Sequence, residues 1–136
     1  MRIDERVIGD LFLERSGGRT QIDERIVGDV VIAAVTGDIT VNGGGDVALK
    51  DKMGSVIQQG HRKLLVDLGG VPYMDSTGLA ELVRAYVAAK NVGGSLKLLR
   101  PTQHLQELLR ITKLATVFDS YEDEATALTS FSAAQV

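Results

Sequence analysis

The stretch VDLGGVPYMDSTGLAELV, residues 66–83, decides the reading of the fold. An apolar strand runs into a short loop, the loop ends in Asp-Ser-Thr-Gly, and an amphipathic helix follows. Leu79, Leu82, Val83, Tyr86 and Val87 lie at i, i+3, i+4, i+7 and i+8, the stripe of a one-sided helix, and Glu81, Arg84 and Lys90 face away. Gly93-Gly94 ends it. The two hydroxyls and the carboxylate at the helix start pose the functional question. They can serve as a cap and nothing more, or they can present a hydroxyl to another protein.

Working outward, KLLVDL at 63–68 is a short strand, as is SLKLL at 95–99. Pro101 opens a helix with Leu105, Leu108 and Leu109 on one face. TVFDS at 116–120 reads as a last strand. Ser120 and Asp123 form a capping-box-like start for a final helix carrying Ala125, Leu128 and Phe131. Upstream, Val47, Leu49, Met53, Val56 and Ile57 have helical spacing, with Asp46 as N-cap and Gly60 as stop. Before them, VVIAAVTG is a buried, β-branched strand, and Asp38–Gly45 is a loop with three consecutive glycines.

One internal repeat precedes this. IDERVIGD at 3–10 recurs as IDERIVGD at 22–29, each copy leading into an apolar run. Each reads as strand, turn and strand start, with Gly-Asp at the turn. The second copy joins the domain without a break. The first is an added strand or hairpin, a partner-exchanged arm, a loose tail, or a duplication with no role. A leading hairpin followed by alternating helices and strands predicts an α/β domain with a mixed, mostly parallel sheet. Loops after parallel strands gather at one sheet edge, and the DSTG loop sits there.

The whole chain sets bounds. It has 136 residues, the size of one domain. Its 15 basic and 18 acidic residues give a net charge of −3, without the basic surplus of a nucleic-acid binder. It has no Cys, so disulfides and zinc-thiolate sites are excluded. Neither a signal-peptide core nor a run of eighteen apolar residues is present, so a soluble cytoplasmic protein without membrane insertion is the expectation.

Several candidate sites fail on chemistry. NGGGD at 42–46 lacks the GK[ST] of a P-loop and the G-x-G-x-x-G spacing, and reads as a flexible connection. His61 and His104 are far apart, and neither has a second ligand at helical spacing, so no metal is expected. D-S-T-G is not a G-x-S-x-G nucleophile elbow, so hydrolase chemistry stays a distant third reading. Asp67, near a strand end, reads first as a carboxylate facing solvent or bonding loop amides, and alternatively as part of the surface around the Ser76 loop. As four letters alone, DSTG reads first as a cap. A phosphate on Ser76 would nonetheless meet free backbone N–H groups and the positive helix end, and would repel an acidic partner.

KLLVDLGGVPYMDSTGLAELVRAYVAAKNVGGSLKLLRPTQHLQELLRITKL resembles a STAS domain of the anti-sigma factor antagonist type, and VVIAAVTGDITVNGGGDVALKDKM fits the same family's opening. The resemblance covers residues 20–132, leaving 1–19 as an N-terminal extension and 133–136 as a tail. It implies a small mixed sheet with helices packed on one side. It implies a non-enzymatic switch without a cofactor of its own. The unphosphorylated form would bind an anti-sigma factor that is also a serine kinase and free a sigma factor. A PP2C-type phosphatase would reverse the modification. By motif position the acceptor is Ser76, with Asp75, Thr77 and Gly78 flanking it in the interface. The resemblance also implies a partner-binding role for Asp38 and Thr40 of the neighbouring loop, where Gly37-Asp38-Ile39-Thr40 departs from the family's usual G-x-L-D. The alternative keeps the fold and makes the chain a scaffold or adaptor subunit of a sensory assembly or a membrane transporter.

Overall fold

A computed structural model describes residues 20–133; the extension at 1–19 and the last residues of the tail lie outside them. Strand β1 (Gln21–Val27) and strand β2 (Val30–Thr36) form the expected hairpin, closed by Gly28-Asp29. Gly28 adopts φ +63°, the conformation that matches a two-residue turn to the twist of its strands. β2 lies inside the sheet, between β1 and the next strand, and Val30, Val31, Ile32, Ala33 and Val35 are all buried.

Helix α1 (Gly45–Gln58), strand β3 (Lys63–Gly70), helix α2 (Ser76–Asn91), strand β4 (Ser95–Leu99), helix α3 (Gln103–Ile111), strand β5 (Ser120–Tyr121) and helix α4 (Glu124–Ala133) follow. The sheet order is β1-β2-β3-β4-β5, antiparallel at the first pair and parallel thereafter. This is the mixed, mostly parallel α/β sheet that the alternation predicts.

Alternate residues of each strand point to opposite faces, and both faces are covered. Val31, Ala33 and Val35 of β2, with Leu64, Val66 and Leu68 of β3, join Leu49, Met53, Leu82, Ala85, Leu105 and Leu109 of the first three helices in the main core. Val30, Ile32, Leu65 and Leu99 point the other way, onto Ala127 and Phe131 of α4. Helices on one side therefore describes α1–α3, and α4 is the departure. The four apolar side chains on the reverse face would otherwise meet water, and α4 removes them from it.

Local expectations are corrected in three places. Asp46 is not an N-cap, because Gly44, at φ +75°, precedes a helix that already starts at Gly45. Gly45 is packed so tightly against the Asp38–Ile39 backbone that a Cβ there would lie 2.8 Å from the Asp38 carbonyl oxygen. The TVFDS segment is a turn that buries Phe118, with pairing only at Ser120–Tyr121. On α4, Asp123 is the capping residue: its carboxylate accepts the Thr126 N–H and hydroxyl, both at 2.9 Å, while Ser120 stays in the strand.

Candidate functional site

The loops after β2 and β3 meet at the C-terminal edge of the parallel strands. Gly37 N–H donates to the Gly70 carbonyl (2.9 Å), Ile39 N–H to the Tyr73 carbonyl (3.0 Å) and Asp75 N–H to the Ile39 carbonyl (3.1 Å). Ile39 and Met74, both fully buried, form an isolated parallel bridge. The DSTG segment is thus set on a rigid base by backbone hydrogen bonds and two apolar anchors.

Asp75 is the N-cap of α2. Its Oδ1 accepts the Thr77 hydroxyl (2.6 Å) and the Gly78 N–H (2.9 Å), and its Oδ2 accepts the Val41 N–H (3.0 Å). One carboxylate therefore closes the helix and ties down the loop after β2. Burial works to raise its pKa. The Thr77 hydroxyl and the Gly78, Val41 and Thr77 amides outweigh that and hold it below the usual carboxylate value.

The four DSTG residues divide their work. Thr77 turns to Asp75 and is half-buried. Gly78 is buried, and a Cβ there would come within 2.6 Å of the Ile39 carbonyl oxygen. Ser76, the first helical residue, is exposed, and among the described residues its hydroxyl takes no part in the surrounding hydrogen bonds. It opens onto a shallow groove walled by Leu79, Ala80, Val83 and Arg84 of α2 and by Thr112 and Leu114 after α3.

Asp38 and Thr40 lie in the adjoining loop. The Asp38 carbonyl accepts the Thr20 hydroxyl at 2.7 Å. The Thr40 hydroxyl accepts the Gly43 N–H (3.1 Å), and its carbonyl accepts the Gly45 N–H (3.0 Å). Thr40 thus shapes the glycine loop, one residue from the Val41 amide that Asp75 holds. Its hydroxyl supplies the acceptor that a carboxylate would supply at that position.

Sequence reasoning missed the contacts that brace the loop before Asp75 against the start of α3. Tyr73 stacks on His104, with centroids 4.8 Å apart and planes at 30°. The Thr102 hydroxyl donates to the Val71 carbonyl at 2.8 Å. About thirty residues separate these partners, and no periodic signal links them. Away from the site, Asp67 accepts the Gly69 N–H and pairs with Arg100, each at 3.0 Å, as read for a loop-bonding carboxylate. Among the described residues no group of three or more His, Asp or Glu side chains is placed to hold a metal, and no helix is long and apolar enough to cross a membrane.

The chain is similar to several known proteins. The family model described as "Mlab, STAS domain" matches residues 22–119. The anti-sigma-B factor antagonist of Bacillus subtilis is 38% identical over 88 residues, covering 60% of this chain and 80% of that protein. Among solved structures, an anti-sigma factor antagonist from Mycobacterium paratuberculosis superimposes with a TM-score of 0.73 at 22% identity, covering 82% of this chain and 93% of the other. The phosphorylated form of SpoIIAA, a Bacillus cell fate determinant, does so with a TM-score of 0.65 at 17% identity, covering 81% and 98%.

Proposed function

The chain belongs to the STAS domain family, with anti-sigma factor antagonists among its relatives, and on that premise we propose that it is a phosphorylatable antagonist switched at Ser76. The unphosphorylated form binds an anti-sigma factor with serine kinase activity, and a sigma factor is released. The Ser76 hydroxyl oxygen attacks the γ-phosphorus of ATP held by that partner. The bond to ADP breaks, and the hydroxyl proton leaves to a base on the partner. A PP2C-type phosphatase hydrolyses the ester and resets the switch.

The observation that carries this reading is the division of labour in DSTG. Capping falls to Asp75, so the Ser76 hydroxyl is not needed for the fold and stands exposed at the helix start. A phosphate there adds roughly −1.5 to −2 charge. The positive helix end offsets part of it, and the Asp75 carboxylate on the neighbouring residue adds to the local negative charge. The fold tolerates the group, while an acidic docking partner does not. Loss of a few kcal/mol at an interface lowers affinity roughly a hundredfold or more. Asp75, Thr77 and Gly78 act as the frame that holds the serine, and Asp38 and Thr40 set the loop beside it.

The test is a native pull-down with wild type, Ser76→Ala and Ser76→Asp as baits, with prey identified by mass spectrometry. A kinase of ATPase fold recovered by the first two and lost with Ser76→Asp is the expected result. Recovery of one transporter or multidomain assembly by all three baits would make the chain a constitutive adaptor and overturn the switch.

A further inference from the structure

In the second copy of the repeat, five of the shared residues have a structural task. Ile22 packs against the main core. Glu24 pairs with Lys52 of α1 (3.3 Å), Arg25 with Glu124 of α4, and Asp29 with Lys63 of β3 (2.7 Å). Gly28 makes the turn. The first copy carries the same residue at all five places: Ile3, Glu5, Arg6, Gly9 and Asp10. Within the octet the copies differ only in the order of one Val and one Ile. Those positions, Ile26 and Val27, are 56% and 37% exposed, so their order matters little.

Beyond the octet the copies part. β2 places buried Val30, Val31, Ile32 and Ala33 where the first copy has Leu11, Phe12, Leu13 and Glu14. A glutamate at the place of Ala33 would bury a carboxylate without a partner. The first copy therefore matches β1 and its turn, and it does not match β2.

We propose that residues 3–10 are an alternative occupant of the β1 place, docking on the edge of β2 in the same chain when residues 22–29 leave it. The seat selects its occupant by chemistry: a carboxylate for Lys52, a guanidinium for Glu124, a carboxylate for Lys63, and a backbone to complete the β2 ladder. Residues 11–29 would span the exchange. Because closure entropy grows only with the logarithm of loop length, the exchange stays intramolecular, and the two-residue turn keeps 22–29 the favoured occupant. The exchange also reaches the Ser76 site. Thr20 anchors the Asp38 carbonyl, and nineteen residues earlier stands Met1, whose side chain has no hydroxyl to give. The exchanged form keeps the ion pairs of β1 and loses that anchor on the loop beside Asp75.

Proline in either copy of the full-length chain tests this. The two-residue turn makes Val27–Val30 a hydrogen-bonded pair, so Arg25, opposite Ile32, has the same parity and its N–H points at β2. Thermal unfolding is compared for Arg6→Pro, Arg25→Pro and the double variant. Arg6→Pro should melt with wild type, and Arg25→Pro somewhat lower. The double variant should fall roughly 4 °C or more below Arg25→Pro. Equal melting of Arg25→Pro and the double variant overturns the proposal, as does failure of Arg25→Pro to fold. Stabilisation of Arg25→Pro that rises with protein concentration, with dimer seen in the ultracentrifuge, makes the occupant a second copy and overturns the intramolecular form. As a second measurement, Arg6→Cys and Glu124→Cys are introduced into the Arg25→Pro chain, which has no other cysteine. A short bismaleimide should join them within one chain, and no joining overturns the proposal.

Discussion

At the scale of the residue, the site rests on the contrast between two neighbours. Asp75 is engaged by three donors, and Ser76 is left open to the surface. The pH dependence of stability should register the first of these. Asp75 has a folded pKa lowered from its ordinary 3.8, with burial opposing and the Thr77, Gly78 and Val41 donors prevailing. A lowered carboxylate pKa contributes stability that is full above the unfolded value and is lost as pH falls through the folded one. Asp75→Asn removes the charge and keeps the shape. The variant should be less stable than wild type at neutral pH, and the gap should close as pH drops below about 3.8. Urea unfolding of both proteins from pH 7 down to about 3 measures it. A gap that stays constant across that range would mean that the carboxylate's charge plays no part in the cap.

At the scale of the element, α2 depends on a glycine that the motif hides among polar letters. Gly78 lets the first turn of α2 lie against the Ile39 backbone, where a methyl group would sit 2.6 Å from the carbonyl oxygen and 2.9 Å from Met74 Cγ. Backbone cannot yield as a flexible side chain can. Gly78→Ala should therefore cost about 1–3 kcal/mol, despite the better helix propensity of alanine. Denaturant titration should show it, and a variant as stable as wild type would show that α2 shifts freely. This cost was not legible in the sequence, because a glycine three residues into a helix says nothing of what faces it. The elements themselves were legible. β2 was marked by its β-branched run, and α2 by its apolar stripe. Val87 is a member of that stripe that proves exposed, while Ala85 and Ala89, whose small side chains carry little apolar signal, lie in the core. Ser76 could be singled out from the motif, but the assignment of the cap to Asp75 needed coordinates. So did Tyr73, His104 and Leu114, which reach the site only through the fold.

At the scale of the molecule, the sheet separates two tasks. Ser76 and its groove lie where α2 leaves the C-terminal edge of the parallel strands, with α1–α3 on one face. The reverse face carries its own small core beneath α4, where Phe131 packs on Ile32, Leu65 and Leu99, and its ring lies 4.7 Å from the Lys97 ammonium. Lys97 itself is buried and donates to the Ser130 hydroxyl at 2.9 Å, a second attachment of α4 to the sheet. The Arg25–Glu124 pair at the start of α4 is a third. If stability and partner binding are separable in this way, they should respond differently to a change under α4. Phe131→Ala removes a fully buried ring and should cost about 3–5 kcal/mol by loss of transfer energy and by the cavity left behind. The Ser76 surface is carried by other elements, and distant sites without shared partners add independently. Affinity of the folded variant for the partner proposed to dock at Ser76, measured by calorimetry well below its melting temperature, should therefore stay within about a factor of two of wild type. A larger loss of affinity in a folded Phe131→Ala protein would mean that α4 sets the conformation of the Ser76 edge through the sheet, and that the two faces form one cooperative unit in binding as well as in folding.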